Sequence, residues 1–302
     1  MQTAESNEVG FMKSEKEITG HTRMICLLGS PVAHSLSPQM HNAAFAQLGL
    51  DYRYLAFDVK PQNLKDITAA FKAMGVRGMN LTMPLKNDIV PLCDRLSPAS
   101  RISGSVNTVV FEEDGSMSGH TTDGIGFFDA CRQENFEIRG KKMTLFGTGG
   151  AGTAILVQGA LDGAREISVF SRSRSRFADR LNRVAEELRL STDCSIRIYE
   201  YTDTDLAREL GDSDLLCNAS NVGMAPDAEK CLISDPAWLP ASLTVADVIY
   251  NPQQTRLLKY AAERGCRAFN GMYMLLYQGA ASFRLWTGQD MPTESIREIY
   301  FS

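Results

Sequence analysis

No stretch of the sequence approaches the roughly 20 consecutive apolar residues that a membrane-spanning helix needs. The opening segment (ESNEVGFMKSEKEITGHT at 5–22) also lacks the apolar core of a signal peptide. Residues 1–23 are expected to be a frayed leader on a cytoplasmic protein. Seven cysteines are present, an odd number with no C-x-x-C pair, which does not suit a secreted disulfide framework. The four histidines (His21, His34, His41 and His120) make no H-x-x-x-H spacing, so no metal site is expected. Excess positive charge is missing as well. The formal net charge of -5 argues against non-specific nucleic-acid binding, but not against a small anionic substrate, whose site is built locally. What remains is an ordinary folded composition, 44% hydrophobic and 22% charged, in 302 residues, enough for two domains each with a core.

Short apolar runs alternate with helical spacing. Strands are expected at 24–28, 52–59, 78–81, 105–112, 143–146, 167–170, 195–199, 215–218, 244–248 and 267–269. Helices are expected at 39–48, 64–74, 151–161, 176–190, 274–286 and 293–300, with a helical turn or helix at 89–94. Such alternation predicts α/β architecture: mostly parallel sheets with helices on both faces.

Gly147-Thr148-Gly149-Gly150-Ala151-Gly152 fits G-x-G-x-x-G between a predicted strand and a predicted helix. Glycines let the backbone approach a pyrophosphate, whose charge sits at the helix N-terminus. About 20 residues further on, an NAD site carries an acidic residue for the ribose 2′-hydroxyl. Here the chain reads Ser171-Arg172-Ser173-Arg174-Ser175-Arg176. No carboxylate is there to repel a 2′-phosphate, and guanidinium and hydroxyl groups would hold one, so NADP is expected over NAD.

The first half carries polar clusters beside inferred strand ends. Ser35 and Ser37 precede a helix, where Ser37 could act as the N-cap or both hydroxyls could hold an anion. Asn80 and Thr82 share a face of an extended segment, with Lys86 beyond Pro84. Asn107 follows in GSVNT and Asp123 in TTDG.

Taken together, these motifs resemble the shikimate dehydrogenases, including their quinate/shikimate branch. The resemblance runs from about Met24 to Gly288. It is carried by SLSP at 35–38, NLTMPLK at 80–86, GSVNT at 104–108, TTDG at 121–124, GTGGAG at 147–152, NASNVGM at 218–224, DVIYNP at 247–252 and MLLYQGA at 274–280.

The resemblance implies a substrate domain (24–123 and 272–302) and a Rossmann-type dinucleotide domain (124–271), with the active site in the cleft between them. It implies reversible NADP-dependent reduction of 3-dehydroshikimate to shikimate, a step toward chorismate and the aromatic amino acids. Lys86 and Asp123 match the catalytic pair, Ser35 and Ser37 the carboxylate clamp, and Asn80, Thr82, Asn107 and Gln278 the residues at the ring hydroxyls. On the cofactor side the matches are Gly147, Gly149, Gly150, Ala151 and Gly152, then Ser171, Arg172, Ser173 and Arg176, then Val248, Tyr250 and Gly271. Ser37, where quinate specialists often carry Thr, points to shikimate.

Alternative readings are a dehydrogenase with dual substrate or dual cofactor use, and a non-catalytic NADP-binding regulator. A methylene-tetrahydrofolate-type dehydrogenase has no obvious use for SLSP. A homodimer is compatible with the sequence. Three positions depart from the family pattern: Thr121 for Asn, Asn221 for a small residue and Tyr273 for Gly.

Overall fold

A computed structural model describes residues 16–172 and 177–301. The order is β1 (Arg23–Gly29), α1 (Ser37–Leu48), β2 (Tyr52–Asp58), α2 (Leu64–Ala73), β3 (Gly78–Leu81), β4 (Arg95–Leu96), α3 (Pro98–Ser103), β5 (Thr108–Phe111), β6 (Met117–His120) and α4 (Asp123–Gln133). Then follow β7 (Lys142–Phe146), α5 (Gly150–Leu161), β8 (Glu166–Ser171), α6 (Ala178–Ser191), β9 (Ser195–Glu200), α7 (Asp203–Gly211), β10 (Leu215–Asn218), β11 (Thr244–Asp247), α8 (Arg256–Glu263), β12 (Arg267–Phe269), α9 (Met272–Thr287) and α10 (Thr293–Tyr300). Among the described residues, no helix is long and apolar enough to cross a membrane.

Two six-stranded sheets form. The second, β12-β11-β10-β7-β8-β9, is parallel at every pairing, with β7 and β10 adjacent at its centre. That order is the doubly wound dinucleotide-binding arrangement, whose ligand crevice opens at the carboxyl ends of the strands where the winding reverses. The first sheet, β2-β1-β3-β5-β6-β4, is mixed. Its β1, β2 and β3 are parallel, but β5 runs antiparallel to both β3 and β6. The expected mostly parallel architecture holds, with β5 as an antiparallel exception: the Asp114-Gly115 turn folds β5 back on β6 as a hairpin, which needs no crossover helix. The long strand expected at 105–112 is regular only over Thr108–Phe111. The segment at 89–94 holds a single 3-10 turn, Val90–Leu92, before β4.

Burial on both faces accounts for the apolar strand runs. Ile25 and Leu27 of β1 face a core completed by Met40, Phe45, Phe283 and Trp286, while Cys26 and Leu28 face Leu64, Phe71 and Leu85. Period-2 alternation thus divides one strand between two cores. The α9 helix belongs to the first of these cores, and the Trp286 indole donates to the Val109 carbonyl of β5 at 2.9 Å. In the second sheet, Met143 and Leu145 pack beneath α4, α5 and α6, while Leu216 and Val245 face the opposite core.

One charge is buried at the amino ends of the second sheet's strands. Lys142 Nζ lies 2.9 Å from Glu209, 3.1 Å from Glu166 and 3.2 Å from Asp212. Burial would raise the Glu209 carboxyl, but hydrogen bonds from Lys142, Ser168 and Tyr199 outweigh it and push the group down to about 2 from 4.5. Removing the lysine would strand two buried carboxylates. Lys142→Met should therefore cost roughly 3 kcal/mol at neutral pH, measured by urea denaturation. A depressed carboxyl stabilises the fold above its unfolded value, so the wild-type protein should lose stability as pH falls from about 4.5 toward 2. Glu209→Gln should flatten that loss.

Candidate active site

The carboxyl ends of β1 and β3 and the start of α4 converge on a cavity of about 300 Å³ that also reaches the glycine loop after β7. From the first sheet's side it is lined by Ser35, Ser37, Asn80, Thr82, Lys86 and Asn107, joined by Asp123 of α4 and Gln278 of α9. From the second sheet's side Ala151, Val248, Tyr250 and Gly271 complete it. Residues separated by more than 240 positions in sequence thus meet in one cleft.

Its centre is an ion pair. Lys86 Nζ donates to Asp123 Oδ2 at 2.6 Å, with both side chains only partly exposed. Asp123 opens α4, where unpaired helix N–H groups favour a negative charge. Its second oxygen, Oδ1, accepts from Asn107 Nδ2 at 2.9 Å. The Asn107 amide has one consistent orientation, because its Oδ1 accepts from the Thr122 backbone N–H at 2.8 Å and from the Thr108 hydroxyl at 2.9 Å. Beneath it, Thr108, Thr122 and Ser282 form a buried hydroxyl cluster, with Thr108 and Ser282 2.7 Å apart and Thr122 and Ser282 3.1 Å apart. Gln278 closes the ring, its Oε1 lying 3.4 Å from Asn107 Nδ2.

Asn80 lines the cavity with its amide engaged inside the protein. The Tyr54 hydroxyl donates to its Oδ1 at 2.7 Å, and its Nδ2 donates to the Asn107 carbonyl at 2.9 Å. Tyr54 is fully buried, and burial pushes its hydroxyl well above the usual value, so it stays a neutral donor. Ser37 is buried and Ser35 half-buried, and the Ser35 hydroxyl accepts from the Ser37 backbone N–H at 3.2 Å. The expected Ser37 N-cap is not found. Leu36 occupies the cap position with helical dihedrals and no side-chain bond, because the helix starts one residue earlier than a Ser37 cap requires.

The glycine loop has two kinds of glycine. A Cβ on Gly147 or Gly152 would strike backbone, 2.6 Å from Ala219 and 2.1 Å from the Gly147 carbonyl respectively. At Gly149 and Gly150 a Cβ would meet nothing within 4 Å, so these two leave an open cradle at the start of α5. That cradle fits a pyrophosphate. Ser171 ends β8 and Arg172 is exposed just beyond it, whereas Ser173 and Arg176 lie outside the described residues.

Val248 and Tyr250 are held by a buried carboxylate that the sequence reading passed over. Asp247 accepts from the Thr255 hydroxyl at 2.7 Å, the Ile249 N–H at 3.0 Å and Asn218 Nδ2 at 3.1 Å. Also missed were Thr108, Thr122, Ser282 and Tyr54. Thr108 and Thr122 stand inside quoted motifs and were legible there, whereas Ser282 and Tyr54 carry no sequence signal. Of the departing positions, Thr121 is buried behind the cleft, Asn221 is exposed, and Tyr273 has the Arg297 guanidinium 5.9 Å from its ring centre.

A doubly wound sheet facing a second α/β unit across a lysine–aspartate cleft defines a dinucleotide-dependent oxidoreductase. The model of the shikimate dehydrogenase substrate-binding domain matches residues 27–109, and that of the shikimate 5'-dehydrogenase C-terminal domain matches residues 271–299. A shikimate dehydrogenase (NADP(+)) from Listeria monocytogenes is 46% identical over 290 residues, covering 96% of this chain and 99% of its own length. The crystal structure of shikimate 5-dehydrogenase from Listeria monocytogenes in complex with shikimate and NAD superposes with a TM-score of 0.92 at 45% identity, covering 95% of this chain and 99% of that one. A quinate dehydrogenase from Corynebacterium glutamicum in complex with NAD is similar at a TM-score of 0.82 and 26% identity, covering 92% and 98%. The chain belongs to the shikimate dehydrogenase family.

The cradle gives a direct test. Gly150→Ala should fold with an unchanged melting temperature yet bind dinucleotide at least tenfold more weakly by fluorescence titration. Gly152→Ala should lose stability as well, because its Cβ has no room.

Proposed function

We propose that this protein catalyses the reversible NADP-dependent reduction of 3-dehydroshikimate to shikimate, with Lys86 and Asp123 acting at the reacting hydroxyl. The single observation that carries the reading is the 2.6 Å Lys86–Asp123 pair facing a polar cavity that borders a glycine cradle. Near-full-length similarity to shikimate dehydrogenases supports it. Residues 24–123 with 272–302 form the substrate domain in this reading, and 124–271 the cofactor domain.

The chemistry follows from the side chains. Oxidising an alcohol requires a group to take the hydroxyl proton, and the reverse direction requires that group to return it. Lys86 Nζ stands where it can do both, the neutral amine accepting the proton in the oxidation and the resulting ammonium returning it in the reduction, where its charge also steadies developing alkoxide. Asp123 fixes the ammonium and shares the proton load, while Asn107 holds Asp123 from behind. Ser35 and Ser37 take the substrate carboxylate, and Thr82, Asn107 and Gln278 contact the ring hydroxyls. Asn80 shapes that wall, orienting Asn107 through its carbonyl. Bound at the cradle, NADPH would supply the hydride for the reduction, and NADP+ would take it back in the oxidation. Gly147, Gly149, Gly150, Ala151 and Gly152 would hold its pyrophosphate, and Val248, Tyr250 and Gly271 would line its reactive ring. Ser171, Arg172, Ser173 and Arg176 would take the 2′-phosphate.

A dual-cofactor reading has one specific observation behind it: the 45% identical Listeria enzyme was crystallised with NAD. Absorbance assays with shikimate or quinate, each paired with NADP or NAD, separate the readings. The shikimate–NADP pairing should be fastest, and comparable rates with NAD would favour dual use. Lys86→Ala should lower turnover by two or more orders of magnitude while NADPH binding persists in a fluorescence titration. Near-normal turnover would remove Lys86 from the mechanism.

A further inference from the structure

Most guanidinium groups half-buried in a folded protein meet a carboxylate. Arg180 does not. It stands in the first turn of α6, just past the carboxyl end of β8, on the side of the crevice where the second strand reads the ribose 2′ substituent. Its Nη2 reaches across to the glycine loop and α5, donating to the Thr153 hydroxyl at 2.9 Å and approaching the Thr148 carbonyl at 3.5 Å. Its Nε is buried with no hydrogen-bond partner among the described residues. The guanidinium lies 5.3 Å from the centre of the Phe177 ring, which covers one face. Among the described residues no carboxylate pairs with it: Asp179 is exposed and makes no ion pair with it, and residues 173–176 are Ser, Arg, Ser and Arg.

We propose that Arg180 is a specificity-determining residue for the 2′-phosphate of NADP, a ligand beyond the Ser-Arg run at 171–176. The proposal rests on the NADP reading above and adds a residue to it. A charge that is desolvated, without a carboxylate among the described residues, and held between the glycine loop and the Phe177 ring is an arrangement that a phosphate dianion completes. Burial, and then the neighbouring Arg183, both hold the Arg180 pKa below its ordinary value, so nothing nearby compensates the charge. An added dianion would do so. Phe177 and Thr153 hold the fork in one plane, which suits bidentate capture of phosphate oxygens. A purely structural reading makes Arg180 a brace for the glycine loop through Thr153 and Thr148. The two readings differ in which ligands they affect.

The test is equilibrium binding by calorimetry or fluorescence, using NADPH, NADH and 2′,5′-ADP with the wild-type chain, Arg180→Gln, Arg180→Lys and Thr153→Val. Arg180→Gln should weaken NADPH and 2′,5′-ADP roughly tenfold or more and leave NADH within about twofold. Arg180→Lys should fall between, keeping charge but losing the fork. Thr153→Val, which removes the brace and keeps the guanidinium, should leave the NADPH-to-NADH affinity ratio near the wild-type value. Equal weakening of NADPH and NADH by Arg180→Gln would overturn the proposal, assigning the residue to loop bracing or to the pyrophosphate. An unchanged affinity for all three ligands would overturn it too. If the wild-type chain itself shows no preference for NADPH and no 2′,5′-ADP binding, the NADP reading fails first, before any variant is compared.

Discussion

The close approach of α4 to α5 and α9 is the constraint from which the site follows. A Cβ on Gly124 would lie 2.4 Å from the Ala154 carbonyl of α5, and one on Gly126 would lie 2.3 Å from the Gln278 backbone nitrogen of α9. Only glycine lets these helix backbones come so near. The helix that joins the two sheets is thereby pinned on both sides at its first turn, and that turn begins with Asp123. Gln278, lying directly against Gly126, is brought to the cleft by the same contact. Any side chain at 124 or 126 would push α4 outward and separate Asp123 from Lys86, whose own loop is anchored to the segment leading into β5 by the bond from the Val106 N–H to the Lys86 carbonyl at 2.8 Å.

That helix was not expected from the sequence, and neither were α3, α7 and α8. For α4 the reason is visible: two glycines in Asp-Gly-Ile-Gly weaken a helix by about 1 kcal/mol each relative to alanine. Packing overrides propensity here, and the glycines that make the helix look improbable are what its packing requires. The strand runs were legible for the opposite reason. Ile25 to Leu28 is apolar on consecutive residues because two cores claim alternate side chains, and in β7 the apolar Met143, Leu145 and Phe146 divide between two cores the same way around the hydrogen-bonded Thr144. The β6 segment, Met117-Ser118-Gly119-His120, has no such pattern and is a strand through its pairing with β5.

The site divides along similar lines. Residues that meet the cavity directly were marked by short polar motifs, and the chain brings Ser35, Ser37, Thr82, Lys86, Asn107, Asp123 and Gln278 to one cleft. Residues that act through others left less trace. Ser282 sits one helical turn beyond Gln278 and donates to its carbonyl at 3.0 Å, yet nothing in the local sequence sets it apart. Arg180 lies outside every motif, because its interest comes from the lack of a carboxylate partner among the described residues, and only three dimensions reveal that.

Two lysines show why one ion pair is a strut and the other a site. Lys142 Nζ has three carboxylates within 3.2 Å. It sits at the amino ends of the strands, away from the crevice, with its charge surrounded by carboxylates. For Lys86, among the described residues, only Asp123 accepts, and the group faces the cavity. Two donors are therefore available to a ligand, held in direction by an aspartate that is itself fixed by Asn107 and by the start of α4. A lysine surrounded by carboxylates can only stabilise a fold. A lysine held by one rigid acceptor, with its other donors turned toward a polar cavity, keeps its position while a proton comes and goes, and that difference in surroundings separates the chemical pair from the structural one.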